Sequence, residues 1–571
     1  MGKRLSLGFV LGTFLVGSMF VIALIDFSPA MAATITVTNT DDSGVGSLRE
    51  AIASAAPGDT INFSVTGTIT LTSGELLISK DLTITGPGAS RLAISGNNAS
   101  RVFRIPAGTV SISNVTIQNG NIPTGQQGGG GIFNQGTLTL NNVVVRNNTV
   151  NGTDSPDVGG GICNGWGLGK GTLIINDSMI SGNTAARGGG IFNTGAETLT
   201  ITNSTVTGNT AIRAGGILSY ATVNMMNSTI SNNIASNSSG GIEHSPLTNA
   251  PMTLTNVTIS GNSSHPGFGD GISNLGSNTT LTNVTISGGI GIGVLNWEGS
   301  VISLRNTIIA NNGANCYGTV TSLGYNLSSD NTCGFTGTGD QNKTDPLLGP
   351  LQDNGGPTFT HALLTGSPAI NAADPNNFPP TDQRGVIRPQ GAGPDIGAFE
   401  FGALIVVPEE GTIGTEMTIL GSEFGAKKGK ALVGNAVLKI LEWTDDSIRC
   451  QLTKALPPET YDVPIRPMTR GASQIVLQNA FTVKSPEIDS VEPTSGATGS
   501  EITINGYYFG TKKGKVTLGK KTCKVLSWEM NSTTGQSTIR FAVPKGLIAG
   551  TNELKVTTTG VGSDTVSFNV D

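Results

Sequence analysis

Apolar and polar residues alternate in short bursts along residues 33–402, as in Thr137-Leu138-Thr139-Leu140. That is the period of strands with one buried face. The bursts recur on a template: an apolar residue, any residue, Asn or Asp, two of any kind, then Val or Ile. The third position is Asn114, Asn142, Asp177, Asn203, Asn227, Asn256, Asn283 and Asn306. A second register, Gly, then Ile or Val, any residue and usually Asn, runs through the same repeats, as in Gly131-Ile132-Phe133-Asn134 and Gly190-Ile191-Phe192-Asn193. Steps such as Asn203 to Asn227 are too short for two helices and a loop, and they fit three short strands and three turns. The pattern predicts an all-β protein whose bulk is a right-handed parallel β-helix, with coils stacked at about 4.8 Å. Branched apolar side chains fill its interior. The template Asn and Asp are expected to turn inward at the bends and hydrogen-bond from coil to coil as a ladder.

An open β-helix must cover its terminal strand edges. Residues 47–55 read as an amphipathic helix, with Ser47 as N-cap and Glu50 three residues on, and this helix is expected to be the N-terminal lid. Polar excursions at 121–127, 150–158 and 264–269 interrupt the repeat and predict surface loops.

Composition sharpens the class. Charged residues are 13% of the 571, about half the usual share of roughly 25%. Residues 33–402 carry 13 Lys and Arg against 21 Asp and Glu, which argues against nucleic acid as a partner. Lys3 and Arg4, the apolar run Leu5–Ile25 and the small residues Ala30-Met31-Ala32 predict an export signal over 1–32, cut after Ala32, with an uncleaved anchor as the alternative. No membrane span is expected after cleavage. Of five Cys, Cys316 and Cys333 share one loop-like stretch and are candidates for a disulfide in an oxidising compartment.

Several motifs carry family resemblances. Residues 33–400 resemble a group of exported bacterial β-helix proteins, and the solenoid is of pectate-lyase type. Thr40-Asp41-Asp42, Gly46-Ser47-Leu48-Arg49-Glu50-Ala51-Ile52 and Pro57-Gly58-Asp59-Thr60-Ile61 are similar to a domain named for a Cys-Ser-Leu-Arg-Glu-Ala motif, with Gly46 in place of the Cys. Gly355-Gly356-Pro357-Thr358, Gly366-Ser367-Pro368-Ala369-Ile370, Asp382-Gln383-Arg384-Gly385 and Asp395-Ile396-Gly397-Ala398-Phe399-Glu400 resemble the choice-of-anchor Q segment. The resemblance implies export and the β-helix fold, and no established activity. Over 403–571 a duplication offset by 85 matches Pro408, Gly411, Gly414, Phe424 and Trp443 to Pro493, Gly496, Gly499, Phe509 and Trp528. These copies resemble the TIG domain, an immunoglobulin-like module, and are expected over 403–484 and 485–571. Each carries a Lys-Lys-Gly-Lys run, expected in a solubilising hairpin turn.

The candidate chemistry is sparse. The coils lack the clustered carboxylates of a polygalacturonase and the acidic Ca²⁺ ligands of a pectate lyase, so no catalytic residue, metal or cofactor is assigned; Ca²⁺ is compatible but not indicated. Asp154 and Asp157 share one insertion and are what a lyase or hydrolase would use. Candidate ligand contacts are Trp166 and Trp297 if exposed, His265 in an excursion, and Arg187 and Arg213, stacked neighbours suited to a sugar carboxylate. The expectation is a secreted or cell-surface non-catalytic protein that adheres to or binds an extracellular glycan or envelope component. The alternatives are a polysaccharide lyase or glycoside hydrolase, and a purely structural envelope or matrix protein. The oligomeric state is left open.

Overall fold

The computed structural model describes residues 32–571 except 167–169, 195–197, 247–248, 266, 298, 365, 403–404, 422–423, 426, 445–446 and 469–474. The expected signal segment, apart from Ala32, lies outside the described residues. Among them no helix is long and apolar enough to cross a membrane.

One coil shows how the repeat becomes structure. Thr137–Asn141 pairs in parallel with Thr109–Ser113 below and Thr172–Asn176 above, Leu to Val to Leu and Leu to Ile to Ile in register. The chain bends at Asn142, continues as Val144–Arg146, bends again at Asn147-Asn148, and returns through Thr149–Val150. A Gly-rich turn then leads into Ile162–Asn164. The strands on either side of the first bend join a 21-stranded sheet; the Gly-Ile register forms a ten-stranded sheet, and the short return strands a five-stranded one. We call the ten-stranded sheet the lateral sheet. One continuous apolar core runs inside, from Val37 to Phe335. The glycines of the lateral register are set by close approach of successive coils: a Cβ on Gly161 would lie 2.7 Å from the Gly190 carbonyl oxygen.

The template Asn column corrects the expected inward ladder. All eight residues have positive φ, from 49° at Asp177 to 57° at Asn114. Asn and Asp tolerate that conformation better than other side-chain residues, so the backbone bend selects them, and their side chains lie on the outer corner. There they bond in four pairs, Asn142 to Asn114, Asn203 to Asp177, Asn256 to Asn227 and Asn306 to Asn283. The buried ladder is built six residues further on: Asn148, Asn183, Asn209, Asn233 and Asn262 donate in turn, each to the next at 2.9 Å. A second buried column, Asn134–Asn164–Asn193, continues it on the lateral sheet at 2.7 and 2.8 Å.

The N-terminal end is closed by the helix Leu48–Ser54, with Leu48, Ala51 and Ile52 turned into the core and the Glu50 N–H donating to Ser47 Oγ at 3.2 Å. Arg49 ties this lid to Asp42 and to the Gly74 and Glu75 carbonyls. Burial opposes ionisation of Asp42, but hydrogen bonds from Arg49, Ser73 and Thr72 hold its pKa down at about 2. At the other end Cys316 and Cys333 form a disulfide, and Phe335 is buried against the core.

The segment after the last coil folds back along the flank and becomes a brace over the outer Asn corner. Asn256 donates to Thr381 O, Asn283 to Asp395 O and Asn306 to Asn377 O. Gln383 bridges Thr229 and Thr258 at 2.9 and 2.7 Å. The segment is therefore a lateral strap along the solenoid. At its centre Arg388 and Glu400, both fully buried, pair at 2.7 Å, and Arg388 also donates to Asp395 O and Gly397 O. Burial and the Glu400 carboxylate push Asp395 up to about 7.

Residues beyond 404 form two sandwiches, each of a four-stranded and a five-stranded sheet. In both, the Trp packs on a Phe, Trp443 on Phe424 and Trp528 on Phe509 with ring centroids 6.2 Å apart, and its indole N–H donates to Gly425 O or Gly510 O. The Lys-rich runs are not hairpin turns. Each lies between strands of different sheets, Glu416–Leu420 to Lys430–Val433 and Glu501–Tyr507 to Lys515–Leu518. Val561 of the second sandwich joins the core of the first. Arg91 pairs with Glu487 at 3.5 Å, so the second sandwich folds back beside the early coils.

Candidate functional site

The lateral sheet separates the expected site residues into two groups. Arg187, Arg213 and His265 precede its strands; Trp166 and Trp297 follow them. The two groups therefore lie at opposite edges of the sheet and do not form one site.

At the entry edge the arginines stack in register, Arg187 beside Arg213. Each already has an acid partner. Arg187 pairs with Asp154, and Arg213 with the buried Glu243, with a further contact from Nε at 2.7 Å. A sugar carboxylate at this pair would compete with these acids. Asp157 is buried and accepts from the Gly125 N–H at 2.8 Å, tying its loop to the excursion of the preceding coil. His265 is exposed and packs near Phe268, ring centroids 6.4 Å apart. Among the described residues no group of three or more His, Cys, Asp or Glu is arranged to hold a metal.

In the inner column of the same sheet, His244 takes the Asn place between Ser219 and Asn274. It is fully buried, with Nε2 at 3.1 Å from Ala221 O and Nδ1 at 2.8 Å from Ser277 Oγ. Burial pushes its pKa down to about 4, so the neutral ring is the structural species.

The exit edge is aromatic. Phe133, Phe192 and Leu218 alternate outward from the lateral strands and are buried with Val158 and Cys163 in a small second core. Trp166 and Tyr220 border it, half-buried, each about 6 Å from the Phe192 ring, at 5.9 and 5.8 Å between centroids. Burial raises the Cys163 thiol to about 12, so it is inert packing. Further along the same edge Trp297 is 58% exposed and Tyr317, on the next coil, 60% exposed. They flank a cavity of about 460 Å³ whose remaining wall is polar, with Asn296, Ser300 and Thr319. The strands beneath hold these rings firmly: Leu295 pairs with Tyr317 in register, and the Trp297 N–H donates to Asn274 O at 3.0 Å. An exposed indole and phenol beside amide and hydroxyl groups, on rigid strands, can stack on the apolar faces of a sugar and bond its hydroxyls. Sequence reasoning picked Trp297 and missed Tyr317, whose place near Trp297 follows only from the pairing of its strand with Ile292–Asn296.

Comparisons with known proteins match parts of the chain. One stretch is 36% identical over 97 residues to a cyclomaltodextrin glucanotransferase of Paenibacillus macerans, 16% of this chain and 12% of that protein. Another is 30% identical over 148 residues to human (Homo sapiens) fibrocystin-L, 24% of this chain and 3% of that protein. The chain thus spans only a small part of either relative. Among solved structures, the plexin A4 extracellular region is 16% identical with a TM-score of 0.21, covering 29% of this chain and 18% of that one. A surface glycan-binding protein from Prevotella bryantii is 17% identical with a TM-score of 0.16, covering 29% and 41%. Residues 405–483 and 486–570 each match the family described as IPT/TIG domain, and the C-terminal region therefore carries two IPT/TIG domains behind the parallel β-helix.

Proposed function

We propose that this is an exported, cell-surface protein that binds neutral extracellular glycans without turning them over. The observation that carries the reading is the exposed Trp297–Tyr317 pair, held by paired strands around a polar-walled cavity of about 460 Å³. Two large exposed rings lining one cavity make an apolar patch of the kind that marks a ligand site. The described lining residues carry no charge, which suits sugar hydroxyls better than a phosphate or a uronate. The stretch shared with a cyclomaltodextrin glucanotransferase is in keeping with a carbohydrate partner.

The test is a glycan array on protein lacking residues 1–32, with a reducing-sugar assay on the same polysaccharides. The reading expects retention of neutral glycans, loss of that retention in Trp297→Ala, and no new reducing ends. Release of reducing ends that disappears in Asp154→Ala or Asp157→Ala would overturn it in favour of an enzyme.

A further inference from the structure

The Trp297 shelf belongs to a longer feature of the β-helix. Immediately after the inner Asn–Ser–His column, one residue per coil emerges at the exit edge of the lateral sheet. Its register is set by backbone hydrogen bonds: Tyr220 N to Asn193 O at 2.9 Å, Ser245 N to Ser219 O at 2.9 Å, Leu275 N to His244 O at 2.7 Å, and Trp297 N to Asn274 O at 3.0 Å. Tyr220, Ser245, Leu275 and Trp297 are therefore stacked on successive coils. The first three are partly exposed and Trp297 is open. Tyr317, on the next coil, pairs with Leu295 two residues before Trp297, and so stands beside the end of the row, across the shared cavity from Trp297.

With coils spaced at about 4.8 Å, Tyr220 and Trp297 stand roughly 14 Å apart along the axis. The track is straight, because parallel in-register coils repeat by translation with little change of direction. It carries no charged residue at any of its four places. Its two ends are aromatic, and its middle offers a hydroxyl at Ser245 and an apolar surface at Leu275.

Resting on the glycan-binding reading above, we propose that this row is an extended subsite track for a flat, neutral, β-1,4-linked hexose chain lying parallel to the β-helix axis. One sugar advances by nearly one coil spacing, so successive rings meet successive coils. Trp297 and Tyr317 form the anchoring end. Tyr220, packed edge-on to Phe192 with ring centroids 5.8 Å apart, forms the distal end, some three sugars away. A helical α-linked chain would leave this line after one or two residues, and a uronic acid chain would lack its counter-charges.

The experiment is calorimetric titration of the protein lacking residues 1–32 with cello-oligosaccharides from the disaccharide to the hexasaccharide, using wild type, Trp297→Ala and Tyr220→Ala. Tyr220→Leu keeps the apolar contact with Phe192 and serves if the alanine variant folds poorly. The proposal expects affinity to rise about tenfold from tri- to hexasaccharide, a gain of one stacking contact. Tyr220→Ala and Tyr220→Leu should hold all lengths at the trisaccharide level, and Trp297→Ala should abolish binding at every length. If the Tyr220 variants titrate as wild type while Trp297→Ala loses binding, the track is wrong and the Trp297 shelf stands. If wild type binds none of these chains although the array shows other glycans retained through Trp297, the β-1,4 assignment is wrong. If Trp297→Ala binds as wild type, the glycan-binding reading falls together with the track.

Discussion

Two corners of the same β-helix present columns of side chains at coil spacing, and their fates differ. At the outer Asn corner, Asn256, Asn283 and Asn306 are covered by the C-terminal brace and their amides are bonded to its carbonyls. At the exit edge of the lateral sheet, Trp297 and Tyr317 are left open beside a polar-walled cavity. One five-residue strand, Val301–Arg305, about 17 Å long, separates the Trp297 and Asn306 sides. Repetition alone therefore does not mark a functional surface, because any column in a solenoid is periodic. What distinguishes the two is whether the chain itself satisfies the exposed groups.

The contrast can be broken at the covered corner. Arg388→Met leaves Glu400 buried without its charge partner and takes one of two side-chain donors from the Asp395 and Gly397 carbonyls, so a loss of about 3–5 kcal/mol is expected from denaturant unfolding. Glycan retention by the folded fraction should not change, since the brace does not reach the exit edge. Loss of binding in the folded variant would show that the two corners are coupled.

The buried column beside the open edge gives a pH signature. His244 is neutral in the folded protein with a pKa of about 4 against 6.5 for the free side chain. Its contribution is present above pH 6.5 and is lost as the pH falls from 6.5 to about 4, because the unfolded chain takes up the proton first; the full loss is about 3 kcal/mol. His244→Asn, which copies Asn274 in the same column, should remove that contribution, so wild-type stability measured relative to this variant falls between pH 6.5 and about 4. Asp395, whose raised pKa acts with the opposite sign, cancels in the comparison. An unchanged acid slope in this variant would place the titrating group elsewhere.

The smallest expected effect separates the two Asn columns. Asn209→Ala removes two donated and two accepted bonds in the buried ladder and should cost about 1–3 kcal/mol. Asn203→Gly keeps the positive-φ bend and loses one exposed bond, so thermal melting should shift by no more than about 0.5 kcal/mol in stability.

That pair also explains what could and could not be read from the chain. The strand periods and the lid helix at Leu48–Ser54 were legible, because apolar periodicity and an N-cap are local signals, whereas the coils before Asn114 lie outside the eight template repeats. The direction of the Asn side chains was not. A positive-φ corner and a buried amide ladder both select Asn, and both repeat at the same interval. The brace was illegible as a brace, since its contacts join residues far apart, such as Thr258 and Gln383. Of the site, Trp297 was visible as an aromatic in a variable coil. Its neighbours Tyr317 and Tyr220 emerge only once strand register assigns each to an edge. Arg187 and Arg213 looked free because their acids, Asp154 and Glu243, sit about thirty residues away.

The open-edge claim is tested most directly by intrinsic fluorescence during titration with a retained neutral glycan. Four Trp report, and only Trp297 stands on the proposed shelf. The account predicts a saturable change in wild type that vanishes in Trp297→Phe, whose melting temperature is unaltered. A change that persists in that variant would put the ligand elsewhere and contradict the account.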